Sequence, residues 1–358
     1  MDDFEKILIE LADAFGPSGF EKDVRNVFEK WVADDAEVTY DNLGSIIARH
    51  SGSSDQPKIL LAAHLDEVGL MVRGILPGGQ LRVVSLGSWW TPALIAQPVI
   101  VRTRNGDHYG VVGAKPPHHL KDDEKNRQLK IEELYIDMGA RNSEEVSGLG
   151  IEVGNPVIPA VSARRLSLES MLMGKAFDDR VGCAAIIQTL RELDHQHPNL
   201  VLGVGTVQEE NGLKGAKSIA KLIQPDICII LEGIPADDFP DSGAIVQGRL
   251  GQGPQIRRYD PTLIANQALV NFVIEQAEQI KIPYQIAVRE SGGTDGSAIQ
   301  VETTGGVPTT VIGVPVRYAH SHHGIVNLKD LGATIKLLRS LIYRLDINTV
   351  IEIKRNPW

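Results

Sequence analysis

The chain has 358 residues, too many for one ordinary hydrophobic core and enough for two. Hydrophobic residues make up 42% and charged residues 23%, the mix of a soluble globular protein, so disorder is excluded as the default. Its 36 Lys and Arg face 46 Asp and Glu, and a net charge of -10 leaves no basic face for phosphate and argues against a nucleic-acid partner.

Cys183 and Cys228 each sit in an apolar run, as buried free thiols of a reducing compartment do, rather than in a disulfide framework. The opening Met1-Asp2-Asp3-Phe4-Glu5 is acidic where a signal peptide is basic, and no apolar stretch reaches the roughly 18 residues that span a bilayer. A cytoplasmic protein with no membrane partner is expected.

Along the chain, Phe4, Ile7, Leu8 and Leu11 recur at helical spacing until Gly16-Pro17 stops the pattern. Ser18-Gly19-Phe20-Glu21 has the form of a capping box, and Val24, Val27, Phe28 and Trp31 then share a helical face. Residues 46–48 read as a short strand, and 59–63 as a strand buried on both faces, because nothing polar interrupts them. From about Gly69 to Val161, short β-rich runs alternate with turn signals such as Pro77-Gly78-Gly79 and Asn105-Gly106, with one short helix over 143–149. This predicts a small β domain over 69–161, inserted into a larger unit made of 1–68 and 162–358. Beyond the insert the pattern predicts helices over 179–193, 214–222, 263–280 and 328–345, with strands over 200–207, 227–231 and 309–314 between them. Such alternation predicts an α/β three-layer sandwich on a mostly parallel sheet.

In an open α/β sheet, ligands bind beyond the carboxyl ends of the strands, so the residues directly after each apolar run matter most. The run 59–63 ends in His64-Leu65-Asp66-Glu67, 200–207 in Gln208-Glu209-Glu210, and 227–231 in Glu232-Gly233. The run 309–314 leads to His320-Ser321-His322-His323, and Asp178-Asp179 adds a carboxylate from a loop before a helix. A lone His after a strand is ordinarily a packing residue. Two His and three carboxylates on one edge are another matter, because packed carboxylates repel unless cations neutralise them. Mixed imidazole and carboxylate ligands suit Zn²⁺, with Co²⁺ or Mn²⁺ also compatible.

Of Asp178 and Asp179, one is expected to cap the helix and one to bind metal. Glu209 and Glu210 are adjacent and point apart, which suits one ligand and one base facing bound water. Asp66 is expected to orient the His64 ring. His322 and His323 are candidates for substrate contact, while His195 and His197, ending a helix, should face solvent. His118 and His119 lie in a proline-rich loop and are expected to stand outside the centre.

Three runs resemble the tetrahedral dodecameric aminopeptidases: Ala63-His64-Leu65-Asp66-Glu67-Val68-Gly69, Gly174-Lys175-Ala176-Phe177-Asp178-Asp179-Arg180-Val181-Gly182-Cys183 and Val207-Gln208-Glu209-Glu210. That family includes glutamyl and deblocking aminopeptidases and members called cellulase M. Further matches are Gly113-Ala114-Lys115-Pro116-Pro117-His118, Gly292-Gly293-Thr294-Asp295 and Arg317-Tyr318-Ala319-His320-Ser321, so the resemblance runs the length of the chain.

The resemblance implies a zinc-peptidase-like catalytic domain interrupted by a PDZ-like β domain used in oligomerisation, in a homododecamer or a dimer. It implies two divalent metal ions per subunit, bridged by Asp178. Glu210 and His320 would complete one site, His64 and Glu232 the other. Glu209 matches the general base and Asp66 the aspartate behind His64, for hydrolysis of N-terminal residues from peptide substrates. Two places depart from the family: Glu232 stands where Asp is usual, and His322-His323-Gly324 replaces a segment carrying Pro and Glu. The rival readings are another hydrolase on this scaffold (deacylase, carboxypeptidase or glycosidase) and a self-assembling shell whose metals are structural. A structural zinc closes its coordination shell with protein ligands, whereas about three ligands per metal leave room for water.

Overall fold

Two helices open the chain, Asp3–Asp13 and Lys22–Val32, each burying one apolar face as their spacing requires. The computed structural model that places them describes residues 3–122, 127, 129–243 and 245–357. Met1 and Asp2 of the acidic N-terminus lie outside those residues. The expected capping box does not form. The Ser18 hydroxyl instead donates to Asp66, and the Glu21 carboxylate accepts from the amides of Gly19 and Gln208, because both side chains turn inward to buried partners.

Three strands come next, β1 (Glu37–Tyr40), β2 (Ile46–Ser51) and β3 (Lys58–His64). Six more make the insert: β4 (Gly69–Ile75), β5 (Leu81–Leu86), β6 (Pro98–Thr103), β7 (Gly106–Gly113), β8 (Tyr135–Asp137) and β9 (Pro156–Pro159). They close into a barrel in the order β4-β5-β8-β7-β6-β9 around a separate apolar cluster that includes Leu70, Val83, Val101 and Ile136. The short helix of this region is Ser143–Gly148, capped by the Asn142 side chain. Trp89 Nε1 donates to the Gly69 carbonyl at 2.9 Å, and Arg102 bonds Asp23 at 2.5 Å, tying barrel to the preceding helix.

The chain then returns to the main sheet with β10 (Arg164–Arg165), β11 (Met171–Gly174), β12 (Leu200–Thr206), β13 (Ile227–Pro235), β14 (Gln255–Asp260), β15 (Leu263–Ile264), β16 (Gln285–Val288), β17 (Thr309–Arg317) and β18 (Gly324–Asn327). The order is β1-β2-β12-β3-β13-β17-β18-β11-β10, with β14 pairing β15, β16 and β17. Only the centre is parallel, through β12, β3, β13 and β17. Their neighbours β2, β18 and β14 join antiparallel, so the sheet is mixed rather than mostly parallel. The connections explain the difference. Residues 41–45 between β1 and β2, and 318–323 between β17 and β18, are too short for the crossover that parallel pairing needs.

Helices cover both faces. Ile59, Leu61 and Ala63 of β3 pack into one cluster with helices Phe177–Glu192 and Leu328–Arg344, while Leu60 and Ala62 pack into another with Lys214–Ile223. Helix Phe177–Glu192 is buried nearly all round, because it lies between the sheet and the outer helices Asp3–Asp13 and Leu328–Arg344.

The expected helix over 263–280 begins later, as Gln267–Gln279. Leu263 and Ile264 pair instead with Asp260 and Tyr259, and the Asn266 side chain caps the helix by accepting from the Leu269 amide. Helices Asp295–Glu302 and Ile347–Arg355 had no expectation attached. His195 is exposed as expected, but His197 is buried, its Nε2 lying 2.9 Å from His50 Nδ1, because β2 and β12 pair beside it. Cys183 and Cys228 are both free and buried. Among the described residues, no helix is long and apolar enough to cross a membrane.

Candidate metal centre

The parallel centre of the sheet puts the predicted residues at one edge. His64 ends β3 in register with Thr206, the last residue of β12, so the chain turns out of both strands at the same height. Glu209 and Glu210 come just after that turn. Strand β13 runs further than expected, to Pro235, and carries Glu232 within it opposite Gly313 of β17. His320 lies just beyond β17. Three residues in these turns, Gln208, Tyr318 and His320, have left-handed φ values of 55°, 61° and 57°. Non-glycine residues held there cost free energy that the surrounding structure must offset, and such positions cluster at functional sites.

The side chains meet. His64 Nε2 lies 3.2 Å from Asp178 Oδ1 and 3.4 Å from Glu232 Oε1. His320 Nε2 lies 3.3 Å from Asp178 Oδ2 and 2.9 Å from Glu210 Oε1. Asp178 thus turns one carboxylate oxygen toward each imidazole. Asp178, Glu210 and His320 have ligand atoms within 4.8 Å of one another, as have His64 and Glu232 with Asp179, and His64 with Glu209 and Glu210. Asp179 satisfies the distance, but its carboxylate is committed elsewhere: Oδ1 accepts from the Gly182 amide at 3.0 Å and Oδ2 from the His64 amide at 3.1 Å. It caps the helix, and Asp178 is the one whose oxygens face both rings.

The surroundings fix these groups. His64 Nδ1 is 3.0 Å from the Asp66 main-chain carbonyl, which can only accept, so Nδ1 carries a proton and Nε2 keeps its lone pair in the neutral ring. Asp66 therefore holds the ring chiefly through its backbone, its own Oδ1 being 3.5 Å away. Its carboxylate clamps the next loop instead. Oδ1 accepts from the Glu209 amide at 2.9 Å, and Oδ2 from the Glu210 amide at 3.1 Å and the Ser18 hydroxyl at 2.5 Å.

Electrostatics point the same way. Burial alone would push His64 down, but hydrogen bonds with Asp178, Asp66 and Glu232 hold it well above the ordinary histidine value. His320 shows the same balance and is pushed up to about 11 by Asp178 and Glu210. Burial followed by repulsion from neighbouring carboxylates pushes Glu209 well up, and burial opposed by His64 leaves Glu232 at about 8. Too many carboxylates share too little water here, and bound cations are the ordinary remedy. Two imidazoles and three carboxylates form a fitting donor set for two divalent ions.

Several supporting residues carried no expectation. Glu67 accepts from Lys175 Nζ at 2.7 Å and Arg180 Nη2 at 3.3 Å, all three buried. The Asp295 carboxylate takes the Thr206 hydroxyl. The motif Gly292-Gly293-Thr294-Asp295 was visible in sequence, but nothing in it specified a role. His322 and His323 do not line the cavity at the centre: His322 is buried against the Trp89 ring, 5.7 Å between centroids. His118 and His119 are exposed and belong to none of the close groups among the described residues.

That cavity has a volume of about 400 Å³ and is bounded at one end by His64, Asp178, Glu209, Glu210, Glu232 and His320. Its size suits a small ligand or a peptide end. Fold and site together are those of a metal-dependent aminopeptidase. The family model described as M42 glutamyl aminopeptidase matches residues 44–337, and the chain belongs to that family. The glutamyl aminopeptidase of Lactococcus lactis subsp. cremoris is 35% identical over 360 residues, covering 99% of both chains. The lysyl aminopeptidase of Pyrococcus furiosus is 36% identical over 352 residues, covering 96% of this chain and 98% of its own. Among solved structures, the TET aminopeptidase of a marine-sediment Thaumarchaeota archaeon superposes with a TM-score of 0.95 at 39% identity, covering 99% and 100%. The Pyrococcus horikoshii TET1 peptidase, which can assemble into a tetrahedron or a large octahedral shell, gives 0.85 at 31% identity, covering 96% and 100%.

Proposed function

We propose that this M42 enzyme releases N-terminal residues from peptides at a two-metal centre, with Asp178 shared between the ions. Glu210 and His320 complete one ligand set, and His64 and Glu232 the other. The observation that carries this reading is the geometry of Asp178, whose two oxygens face one imidazole each, with a second carboxylate on the far side of each ring. Glu232 reaches His64 from within β13, which supports the longer side chain as a ligand where relatives use Asp.

When bound, two divalent ions supply Lewis acidity at the scissile carbonyl and lower the pKa of water. Glu209 lines the cavity, is not needed to complete either set, and serves as general base. It receives a proton on its carboxylate and passes it to the departing amine. Asp66 fixes the Glu209 and Glu210 backbone so that one side chain faces metal and the other the cavity. Zn²⁺ fits the imidazole and carboxylate set best, and Co²⁺ or Mn²⁺ fits it too.

Residues 1–68 and 162–358 form the catalytic unit in this reading. The barrel over 69–161 is the PDZ-like module through which the protein forms a homo-oligomer, a dodecamer like its shell-forming neighbour or a dimer. Two free buried thiols support a reducing, cytoplasmic setting. The test of the reaction is Glu209→Gln. It should retain its metals by elemental analysis and lose at least about two orders of magnitude in kcat; near-normal turnover would sink the assignment.

A further inference from the structure

The aminopeptidase reading leaves the preferred N-terminal residue open, and the names of the relatives pull opposite ways, glutamyl in one and lysyl in the other. The cavity itself is more decisive. Away from the metal end it is lined by Arg257, Arg289, Thr262, Ser291, Ser297 and glycine backbone, with Leu213 and Pro235 as the apolar exceptions. Two guanidinium groups face this part and, among the described residues, no carboxylate does.

The acids that pair with those arginines stand behind them. Asp260 is fully buried and bonds Arg257 Nη1 at 2.9 Å, while its other oxygen takes the Thr262 amide and hydroxyl. Asp237 meets Arg289 Nη1 at 3.2 Å and spends its oxygens on the Gln247 and Gly248 amides. Neither acid lines the cavity. Each therefore braces one nitrogen of its arginine and leaves the rest of the fork available. Arg257 Nε is buried with no partner among the described residues, and a buried donor without an acceptor costs free energy until one arrives. The loop that carries Arg289 is pressed onto this wall. A Cβ on Gly293 would meet Thr262 Oγ1 at 2.8 Å, so glycine is needed for the approach.

We propose that this part of the cavity receives an acidic side chain, so that the enzyme selects peptides beginning with glutamate or aspartate, with Arg257 and Arg289 binding the side-chain carboxylate. The proposal rests on the aminopeptidase reading and deepens it. An aliphatic N-terminal residue would leave the buried Nε unpaired, and a lysine would bring a third cation against two. Arg–carboxylate pairing is charge-assisted and forked, which gives specificity as well as affinity.

The test is a panel of p-nitroanilides of Glu, Asp, Leu and Lys with metal-loaded protein, read as kcat/KM. Glu or Asp should exceed Leu by at least about tenfold, with Lys poorest. Arg289 is the residue to vary, because it is partly exposed and its loss leaves no fully buried acid unpaired. Arg289→Met should cut kcat/KM for Glu by about tenfold or more, mainly through KM, and leave Leu within about twofold. Arg289→Lys should recover part of the loss. Calorimetric titration of L-glutamate, L-leucine and L-lysine provides a readout independent of turnover, with glutamate tightest and its advantage removed in Arg289→Met. Preferential cleavage of Leu or Lys by the wild type would overturn the pocket assignment and leave the aminopeptidase reading intact. So would an equal loss on all substrates in Arg289→Met. Failure to cleave any member of the panel would overturn the aminopeptidase reading itself, and this inference with it.

Discussion

Replacing Glu67 by Gln removes the anion from a buried cluster of three ions and tests what holds the metal-centre loops in place. Glu67 sits three residues past His64 at the end of β3, 2% exposed, with Lys175 Nζ at 2.7 Å and Arg180 Nη2 at 3.3 Å. Both cations also reach the first helix and the turn after it. Lys175 donates to the Ala14 carbonyl, and Arg180 to those of Leu11 and Gly16. Burial already depresses the Lys175 ammonium below its ordinary value, with Glu67 opposing that shift. Removing one partner of a buried pair costs about 3–5 kcal/mol, because the remaining charge stays desolvated. Glutamine keeps an acceptor oxygen, so the lower end, about 3 kcal/mol, is expected. At about 2–4 °C per kcal/mol, the melting temperature should fall by about 6–12 °C.

Urea unfolding followed by circular dichroism measures this, at matched protein and metal concentrations because oligomer and ligand both shift the midpoint. The exposed pair Arg49–Asp55, 2.9 Å apart, is the control: Asp55→Asn should cost no more than about 1 kcal/mol. Glu67→Met combined with Lys175→Met should be milder than Glu67→Gln, since fewer unpaired ions remain. If Glu67→Gln costs no more than Asp55→Asn, buried charge pairing is not what fixes these loops.

Other consequences are equally direct. Asp66→Asn places an NH₂ where a carboxylate oxygen now accepts an amide of Glu209 or Glu210, so kcat should drop by about 10–100-fold in steady-state assays, with Ser18→Ala showing a smaller loss. Gly233→Ala would bring a Cβ within 2.6 Å of the Phe177 carbonyl and 2.7 Å of Asp178 Cα. Displacing Asp178 in this way should weaken metal retention about 10–100-fold on dialysis against chelator, read by elemental analysis. Far from the metals, burial and the neighbouring imidazoles push His50 down to about 4, and His197 is lowered mainly by burial. A folded pKa below the unfolded value of about 6.5 means that the unfolded chain binds the extra proton. The contribution is complete above pH about 6.5 and is lost as pH falls toward 4. His50→Gln should therefore lose less stability than wild type between pH 7 and 5 by urea midpoint, and parallel curves for the two proteins would refute the sign.

Where the sequence was legible, one physical cause dominated. The runs 59–63, 200–207, 227–231 and 309–314 are uninterrupted and apolar because their strands are covered on both faces, and each delivered its polar group to the shared edge. Asp178 and Asp179 could not be separated that way, since both stand before the same helix. Their roles depend on which carboxylate the Gly182 and His64 amides occupy, a three-dimensional fact. Flanking strands such as β14, β16 and β18 are short and partly exposed, and they carry no periodicity strong enough to mark them. Ser18 and Glu21 misled for a related reason. Their spacing satisfies a local cap, but Asp66 and the Gln208 amide offered buried partners that the local pattern does not contain.

The barrel is the element whose position carries most beyond its own fold. It leaves the catalytic unit directly after His64-Leu65-Asp66-Glu67-Val68, so its first strand is anchored at the centre rather than at a distant edge. Its loop after β5 returns to the same place: a Cβ on Gly87 would meet Val68 at 2.8 Å and Glu210 Oε2 at 3.0 Å, and Ser88 lines the cavity. Trp89 then bonds the Gly69 carbonyl and packs on His322, just past His320. Glu210 and His320, which face each other at 2.9 Å, are thus each braced by the insert as well as by the sheet. A partner subunit gripping the barrel would act on that brace, so assembly and the geometry of the Glu210–His320 side are mechanically joined. That coupling places oligomerisation among the determinants of the site, and it predicts that variants confined to the barrel's Gly87-Ser88-Trp89 turn alter metal retention before they alter the catalytic unit's fold.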